Sequence, residues 1–415
     1  MNFIDLFAGA GGLSEGFIRA GFKPIAHVEM DKAACFTLKT RMVYHHLKAN
    51  GSFKKYVDYL KGEINRDTLY KYVPEDVLNS VINLPISDNT NLEIHNKIEK
   101  IQGNRPVDLI IGGPPCQAYS IAGRSRSSNG MRGDERNYLY VQYGKFLAKY
   151  NPKMFVFENV LGLKSAGKGV YLENMRKLFS KKGYEIKLFT LEAINFGVLQ
   201  NRKRIIILGW NRELGIKIPD LEAIRYENKS TVSKLLEDLP QIEAGGGLDK
   251  FASYSTITND YLKNSGIRNG IDVLTQHVSR PHCIQDKEIY SIAVTKWNEE
   301  KKRLSYTDLP ERLQTHSNKS SHLDRFKVVA NDLAYSHTVV AHIAKDGHYY
   351  IHPDLSQNRS ISIREAARLQ SFPDDFYFEG VREGLNRTPA FRQIGNAVPP
   401  LMADVIARYI KKFFS

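Results

Sequence analysis

Val107-Asp108-Leu109-Ile110-Ile111-Gly112-Gly113-Pro114-Pro115-Cys116-Gln117 joins an apolar run to two glycines, two prolines and a thiol. The run reads as a buried strand, and the glycines and prolines end it. Two successive prolines fix their φ and offer no backbone donor, so Cys116 is predicted to sit on a stiff extended turn, outside the next helix. An isolated free cysteine is more often a small buried hydrophobe. The glycines and prolines around this one favour a nucleophile presented at a strand end.

Working outward, short apolar runs alternate with helix-like segments through the first half: Phe3–Phe7, Ile25–Val28, Val107–Ile111, Met154–Phe157, Ile186–Leu191 and Ile205–Leu208. That rhythm predicts a doubly wound, mainly parallel α/β sheet. Amphipathic stretches Tyr138–Tyr150 and Val170–Lys182 fill two of the gaps, stopped by Asn151-Pro152 and by Gly183. From about Asn211 to Ile351 the rhythm fades into a polar segment containing Gly245-Gly246-Gly247, which marks a second, smaller, irregular domain. Pattern returns at Ser362-Ile363-Arg364-Glu365, a capping box opening a helix that runs to about Gln370 and is stopped by Pro373. A last helix begins after Pro399-Pro400 with Leu401, Met402, Val405, Ile406, Tyr409 and Ile410 on one stripe, and it is expected to return to the first domain. The predicted division is 1–211, 212–387 and 388–415, with Tyr44–Asn83 a charged helical insertion.

The 415 residues suffice for two domains. The 59 Lys+Arg against 45 Asp+Glu give +14, which suits a polyanionic partner and equally a merely soluble basic surface. Cys35, Cys116 and Cys283 are too few and too scattered for a disulfide framework or a zinc site, so a reducing compartment is expected and no metal. With no targeting segment or apolar span, the chain is expected to be cytoplasmic, with a monomer as the default.

At the amino end, Asp5-Leu6-Phe7-Ala8-Gly9-Ala10-Gly11-Gly12-Leu13 sets small residues after the first strand, letting backbone approach a ligand; Ser14–Ala20 can then open a helix. The second strand ends at Glu29, where an acid commonly takes ribose hydroxyls, so an adenosine-type cofactor is implied. A tight strand-to-helix connection explains the glycines equally well. The spacing is not GxGxxG, which counts against a nucleotide-dependent oxidoreductase.

These residues resemble the cytosine-C5 DNA methyltransferase family, with six elements in the family's order. Asp5 to Gly12 is similar to its S-adenosyl-L-methionine loop, Gly113-Pro114-Pro115-Cys116-Gln117 to its nucleophile loop and Glu158-Asn159-Val160 to its catalytic acid. Gln200-Asn201-Arg202-Lys203-Arg204, Arg364-Glu365-Ala366-Ala367-Arg368-Leu369-Gln370 and Gln393-Ile394-Gly395-Asn396-Ala397-Val398-Pro399-Pro400 resemble three more. The resemblance implies a Rossmann-like methyltransferase fold with a target-recognition domain. It implies a catalytic set of Cys116, Gln117, Glu158, Arg202 and Arg204. Its cofactor set is Phe7, Ala8, Gly9, Gly11, Gly12, Leu13, Glu29, Met30, Asp88, Pro115, Leu139, Asn396, Ala397 and Val398. Met30 stands where many relatives carry an aromatic, and Asp88 is the third cofactor element after the insertion.

Carbon 5 of cytosine is a poor nucleophile, and adding a thiolate to carbon 6 gives it enamine character, so Cys116 is the expected nucleophile. Glu158 is expected to serve ring N3, with a raised pKa. Arg202 and Arg204 alternate, so only one can face the cleft; the resemblance implies Arg204 at the cytosine O2 and Arg202 at a phosphate or buttressing the loop. A paired base must be extruded to react. Tyr119–Asp134 reads as a lid, with Ser120, Arg124, Arg126 and Arg132 on the DNA, or as a plain surface loop. Duplex DNA is the expected partner, with a cognate restriction endonuclease at the level of the system. A tRNA cytosine-C5 methyltransferase is the alternative, and a catalytically silent DNA-binding relative is disfavoured because every catalytic position is filled. Bases read by Arg280, Arg325 or Lys327 are not legible.

Overall fold

A computed structural model describes residues 1–115, 138–215, 220–226 and 229–414. Seven strands form the central sheet: β1 Asn2–Leu6, β2 Lys23–Glu29, β3 Val81–Asn83, β4 Leu109–Gly112, β5 Met154–Asn159, β6 Tyr184–Glu192 and β7 Lys203–Asn211. Their order is β3-β2-β1-β4-β5-β7-β6, so the winding reverses between β1 and β4. Those two strands pair in parallel, with Leu6 beside Gly112. The glycine-rich loop after β1 and the Gly113-Pro114-Pro115 segment after β4 therefore leave adjacent strand ends at the switch point, where open α/β sheets bind ligands.

Alternation along the strands builds two cores. One face offers Phe3, Ile111, Val156 and Leu208 to Phe17 of helix Gly12–Arg19 and to Met402 and Ile406 of helix Pro400–Lys411, so the last helix does return to the sheet. The opposite face offers Ile4, Ile110, Phe157 and Ile207 to Ile94, Phe146 and Phe179 of helices Asn91–Gln102, Leu139–Tyr150 and Val170–Lys181.

The last two strands differ from an all-parallel reading: β7 runs antiparallel to both β5 and β6. Only residues 193–202 connect β6 to β7, and a parallel crossover needs about a dozen residues or more, usually with a helix. The insertion differs too. Its helices Lys54–Lys61, Arg66–Tyr70 and Glu75–Asn79 are as expected, but Val81–Asn83 is the edge strand β3. Tyr44, Tyr56, Tyr59 and Leu69 pack with Ile271, Val273 and Tyr377, so the insertion braces the second module.

That module holds a two-stranded ribbon, β8 Gly247–Leu248 with β9 His277–Val278, and a helix at Ile284–Glu300 where the sequence pattern is irregular. Its buried residues are only Ile289, Tyr290, Ala293 and Val294, while Ile284 is exposed, so the apolar stripe is too narrow to announce itself. Ser362 and Glu365 form the capping box of helix Ile363–Leu369. Arg368 on that helix holds Asp238 at 2.5 Å and Asp374 at 2.5 Å, fastening the module to its supporting helix. A further helix, Arg387–Asn396, precedes the last one; Pro389 near its start disguises it in the sequence. No helix among the described residues is long and apolar enough to cross a membrane.

Candidate active site

Strands β4 and β5 are parallel neighbours, and both end at the cleft. Beyond β4, Gly113 lies so close to Glu158 at the end of β5 that a Cβ there would stand 2.6 Å from the carboxylate Oε2. Asn159 Nδ2 donates to the carbonyl of Pro114 at 3.3 Å. The glycine and asparagine thus lay the Pro114-Pro115 stem along Glu158. Cys116 and Gln117 lie outside the described residues, as do Ser120, Arg124, Arg126 and Arg132.

Arg204 and Arg202 face opposite ways. Arg204 Nε meets Glu158 Oε1 at 2.7 Å. Burial nevertheless lifts the Glu158 carboxyl above its ordinary value, outweighing the pull of Arg204 and Arg202 in the other direction. The pair therefore offers a carboxyl able to hold a proton, next to a fixed cation. Arg202 is fully buried and donates to the carbonyls of Val339 at 2.6 Å, Ala397 at 2.8 Å and Gly395 at 3.2 Å. Of its two expected roles, these bonds describe the buttress: Arg202 ties the segment after β6 to the second module and to the carboxyl-terminal element, away from the reacting groups.

Across β1, Glu29 at the end of β2 accepts from Gly9 N at 2.7 Å and Asp31 N at 2.8 Å, which fixes its carboxylate over the β1 loop. Phe7 holds a left-handed backbone at φ 58°, turning the loop off the strand. A Cβ built on Gly9 would meet nothing within 4 Å, so the loop borders open space. Gly12 is covered from the other side, where a Cβ would fall 2.3 Å from the carbonyl of Val398, so Ala397-Val398 packs on the loop. Gly11 and Leu13 are buried beneath, and Met30 and Asn396 are exposed at the rim.

The family model for C-5 cytosine-specific DNA methylases matches residues 1–69 and 75–412. The chain belongs to that family. It is a DNA (cytosine-5-)-methyltransferase by class, and its relatives extend over its whole length. Type II methyltransferase M.Bpa9945I of Bacillus paralicheniformis is 41% identical, with 99% of this chain and 98% of that protein covered. Type II methyltransferase M.DdeI of Desulfomicrobium norvegicum is 31% identical, with 100% and 89% covered. A prophage-encoded DNA modification methyltransferase from E. coli shares the fold at a TM-score of 0.66 and 23% identity, covering 100% of this chain and 99% of that one.

Within this methyltransferase one expected residue is differently placed. The Asp88 carboxylate is exposed and engaged by Lys145, with Gln142 Nε2 at 3.2 Å, both on helix Leu139–Tyr150. Strand β3 ends five residues earlier, at Asn83, whose Nδ2 donates to the carbonyls of Glu29 at 3.1 Å and Met30 at 2.9 Å. Asn83 therefore sets the rim beside Glu29. The short apolar pair Val81-Ile82 before it is a sequence sign of the strand, but the charged insertion masks it. Leu139 opens its helix half-buried, and Pro115 is half-buried beside the cleft.

Replacing Arg202 by methionine in this methyltransferase takes its donor from the buried carbonyls of Val339 and Gly395, and leaves that of Ala397 with only Gln370 Nε2 at 3.4 Å. The expected loss is about 2–4 kcal/mol of stability, read as a lowered denaturation midpoint. A variant as stable as the wild type shows that these bonds do not fasten the modules.

Proposed function

We propose that this methyltransferase modifies carbon 5 of a cytosine extruded from a specific duplex DNA sequence, using S-adenosyl-L-methionine, through a covalent bond from Cys116 to carbon 6. The observation that carries the reading is the Pro114-Pro115 stem laid against the Glu158–Arg204 pair at the switch point. The other two thiols support it by contrast. Cys35 is buried beside Glu29 with its pKa pushed up to about 12, and Cys283 serves as a helix cap, its sulfur accepting from Asp286 N at 3.4 Å.

The cofactor, when bound, supplies an electrophilic methyl group on a sulfonium sulfur. The open space over Gly9 fits it, with Glu29 placed for ribose hydroxyls and Phe7, Met30 and Asn83 at the rim. Cys116 thiolate adds to carbon 6, and negative charge develops on ring N3. Glu158, kept protonatable by burial, donates there, while Arg204 holds the carboxyl in place and reaches the cytosine O2. Water removes the proton from carbon 5 before the thiol leaves.

The module from 212 reads the sequence of the duplex, in keeping with the names of the relatives, type II methyltransferases. The same names support a restriction-modification system with a cognate endonuclease. The protein acts as a monomer in the cytoplasm. The test is methylation of mixed-sequence DNA with S-adenosyl-L-methionine, followed by bisulfite sequencing. Protection of cytosines in one short sequence is expected. Methyl transfer to tRNA with none to DNA overturns the reading.

A further inference from the structure

The order of the strands sets the direction in which a nucleoside runs along the carboxyl edge of the sheet. The methyl group has to arrive where β4 and β5 end, beside Glu158, while Glu29 at the end of β2 is placed for the ribose hydroxyls. A ribose carries its sulfonium arm on carbon 5′ and its base on carbon 1′, at opposite sides of the ring. With the arm reaching back across β1 towards β4, the base points the other way, towards β3. In the order β3-β2-β1-β4-β5-β7-β6, β3 is the terminal strand, so the base end of the site is the outer edge of the sheet.

That edge is short and pinned. Strand β3 is only Val81–Asn83, and the Asn83 amide is turned inward: Nδ2 donates to Glu29 O at 3.1 Å and to Met30 O at 2.9 Å. Cys35 Sγ donates to Glu29 O at 3.3 Å, and Asp31 caps helix Lys32–Ala49 by accepting from Ala34 N at 2.9 Å. The backbone of 29–31 is thus tied on both sides and does not fold over a ligand. The side chains it presents are open to water. Met30 is 65% exposed, and Asn83 is exposed beside it. The lining of a closed pocket is shielded by its neighbours even when empty, so a side chain this exposed stands at a rim. Farther along, the Asp88 carboxylate is drawn onto Lys145. Methionine is also unbranched, with three rotatable bonds, so it can move aside for a neighbouring group and pack against it.

We propose that the site takes S-adenosyl-L-methionine analogues carrying one alkyl or benzyl group on the adenine 6-amino nitrogen, the substituent passing out over Met30. This inference rests on the cofactor reading above. The reaction is unchanged: the methyl group leaves the sulfonium sulfur for carbon 5, carbon 5 loses its proton, and the thioether departs with the substituent still attached.

The test is calorimetric titration of the protein with S-adenosyl-L-methionine and with its benzyl derivative at the 6-amino nitrogen. The derivative is expected to bind within about fivefold of the parent, and a larger loss overturns the inference, because a ring forced against a packed wall costs more than that. Met30→Trp, which sets a broad ring at the exit, should weaken the derivative at least about tenfold relative to the parent. That ratio, unlike either affinity alone, is not moved by a general loosening of the fold; an unchanged ratio takes Met30 out of the path and overturns the inference. Methyl transfer from the derivative to the duplex mapped by bisulfite sequencing is expected, and its absence, with the parent active, also overturns it. A protein that does not bind the parent refutes the cofactor reading instead, so the two failures are distinguishable.

Discussion

Serine at position 116 is expected to abolish methyl transfer and to leave cofactor binding intact. The hydroxyl is a far weaker acid than the thiol, so almost none of it is ionised near neutral pH, and no neighbour in the described cleft is placed as a strong base for it. Turnover of Cys116→Ser should fall by more than about 1000-fold, measured as radiolabelled methyl appearing in duplex DNA. Binding of S-adenosyl-L-methionine, followed by calorimetry, should remain within about twofold of wild type, because Gly9, Glu29 and Val398 stand on other elements. A second readout isolates the bond itself: 5-fluorocytosine in the site should trap the wild-type protein in an adduct that survives denaturation, and the variant should form none. Appreciable methylation by Cys116→Ser removes the covalent step from the account.

The parts of this site legible in the sequence are those in which local chemistry and position coincide. The glycine–proline turn after β4, the capping box at Ser362 and the short apolar runs of β1, β2, β4 and β5 each declare themselves within a few residues. What the sequence hides depends on distant partners. Asp88 suits a cofactor contact in being acidic and placed after the insertion; only the pairing of β3 with β2 shows that Asn83 reaches the Glu29–Met30 backbone. Arg202 and Arg204 look equivalent in one dimension, and strand alternation separates them, but the choice of buttress for Arg202 depends on carbonyls 137 to 195 residues away. The reversed direction of β7 is implicit in its short connection to β6, a constraint of loop length that the apolar rhythm does not carry.

Glutamine at position 158 separates the fold from the proton. The amide keeps nearly the same shape and can still accept from Arg204 Nε, which now sits 2.7 Å from a carboxylate oxygen, so the cleft should persist. It cannot deliver a proton to N3 as carbon 6 is attacked. Turnover of Glu158→Gln is therefore expected to fall by about 100- to 10,000-fold, with the KM for DNA changed much less. The pH dependence gives the sharper distinction. Burial raises the folded-state pKa of Glu158, so its neutral form is retained above the range where an exposed glutamate ionises and is lost as pH climbs through the raised value. Attack requires the opposite change at Cys116, which gains thiolate as pH rises. Wild-type kcat/KM should accordingly be bell-shaped, its alkaline limb belonging to Glu158, whereas the residual rate of the variant should rise with pH and lose that limb. Stability has the same sign. A carboxyl whose folded pKa exceeds its unfolded one favours the fold fully below the unfolded value and loses that contribution as pH rises through the folded one. The permanently neutral amide should thus denature later than wild type on the alkaline side of that window, and little differently below it. A variant that is slow yet keeps the alkaline limb places that limb on another group and removes Glu158 from proton delivery.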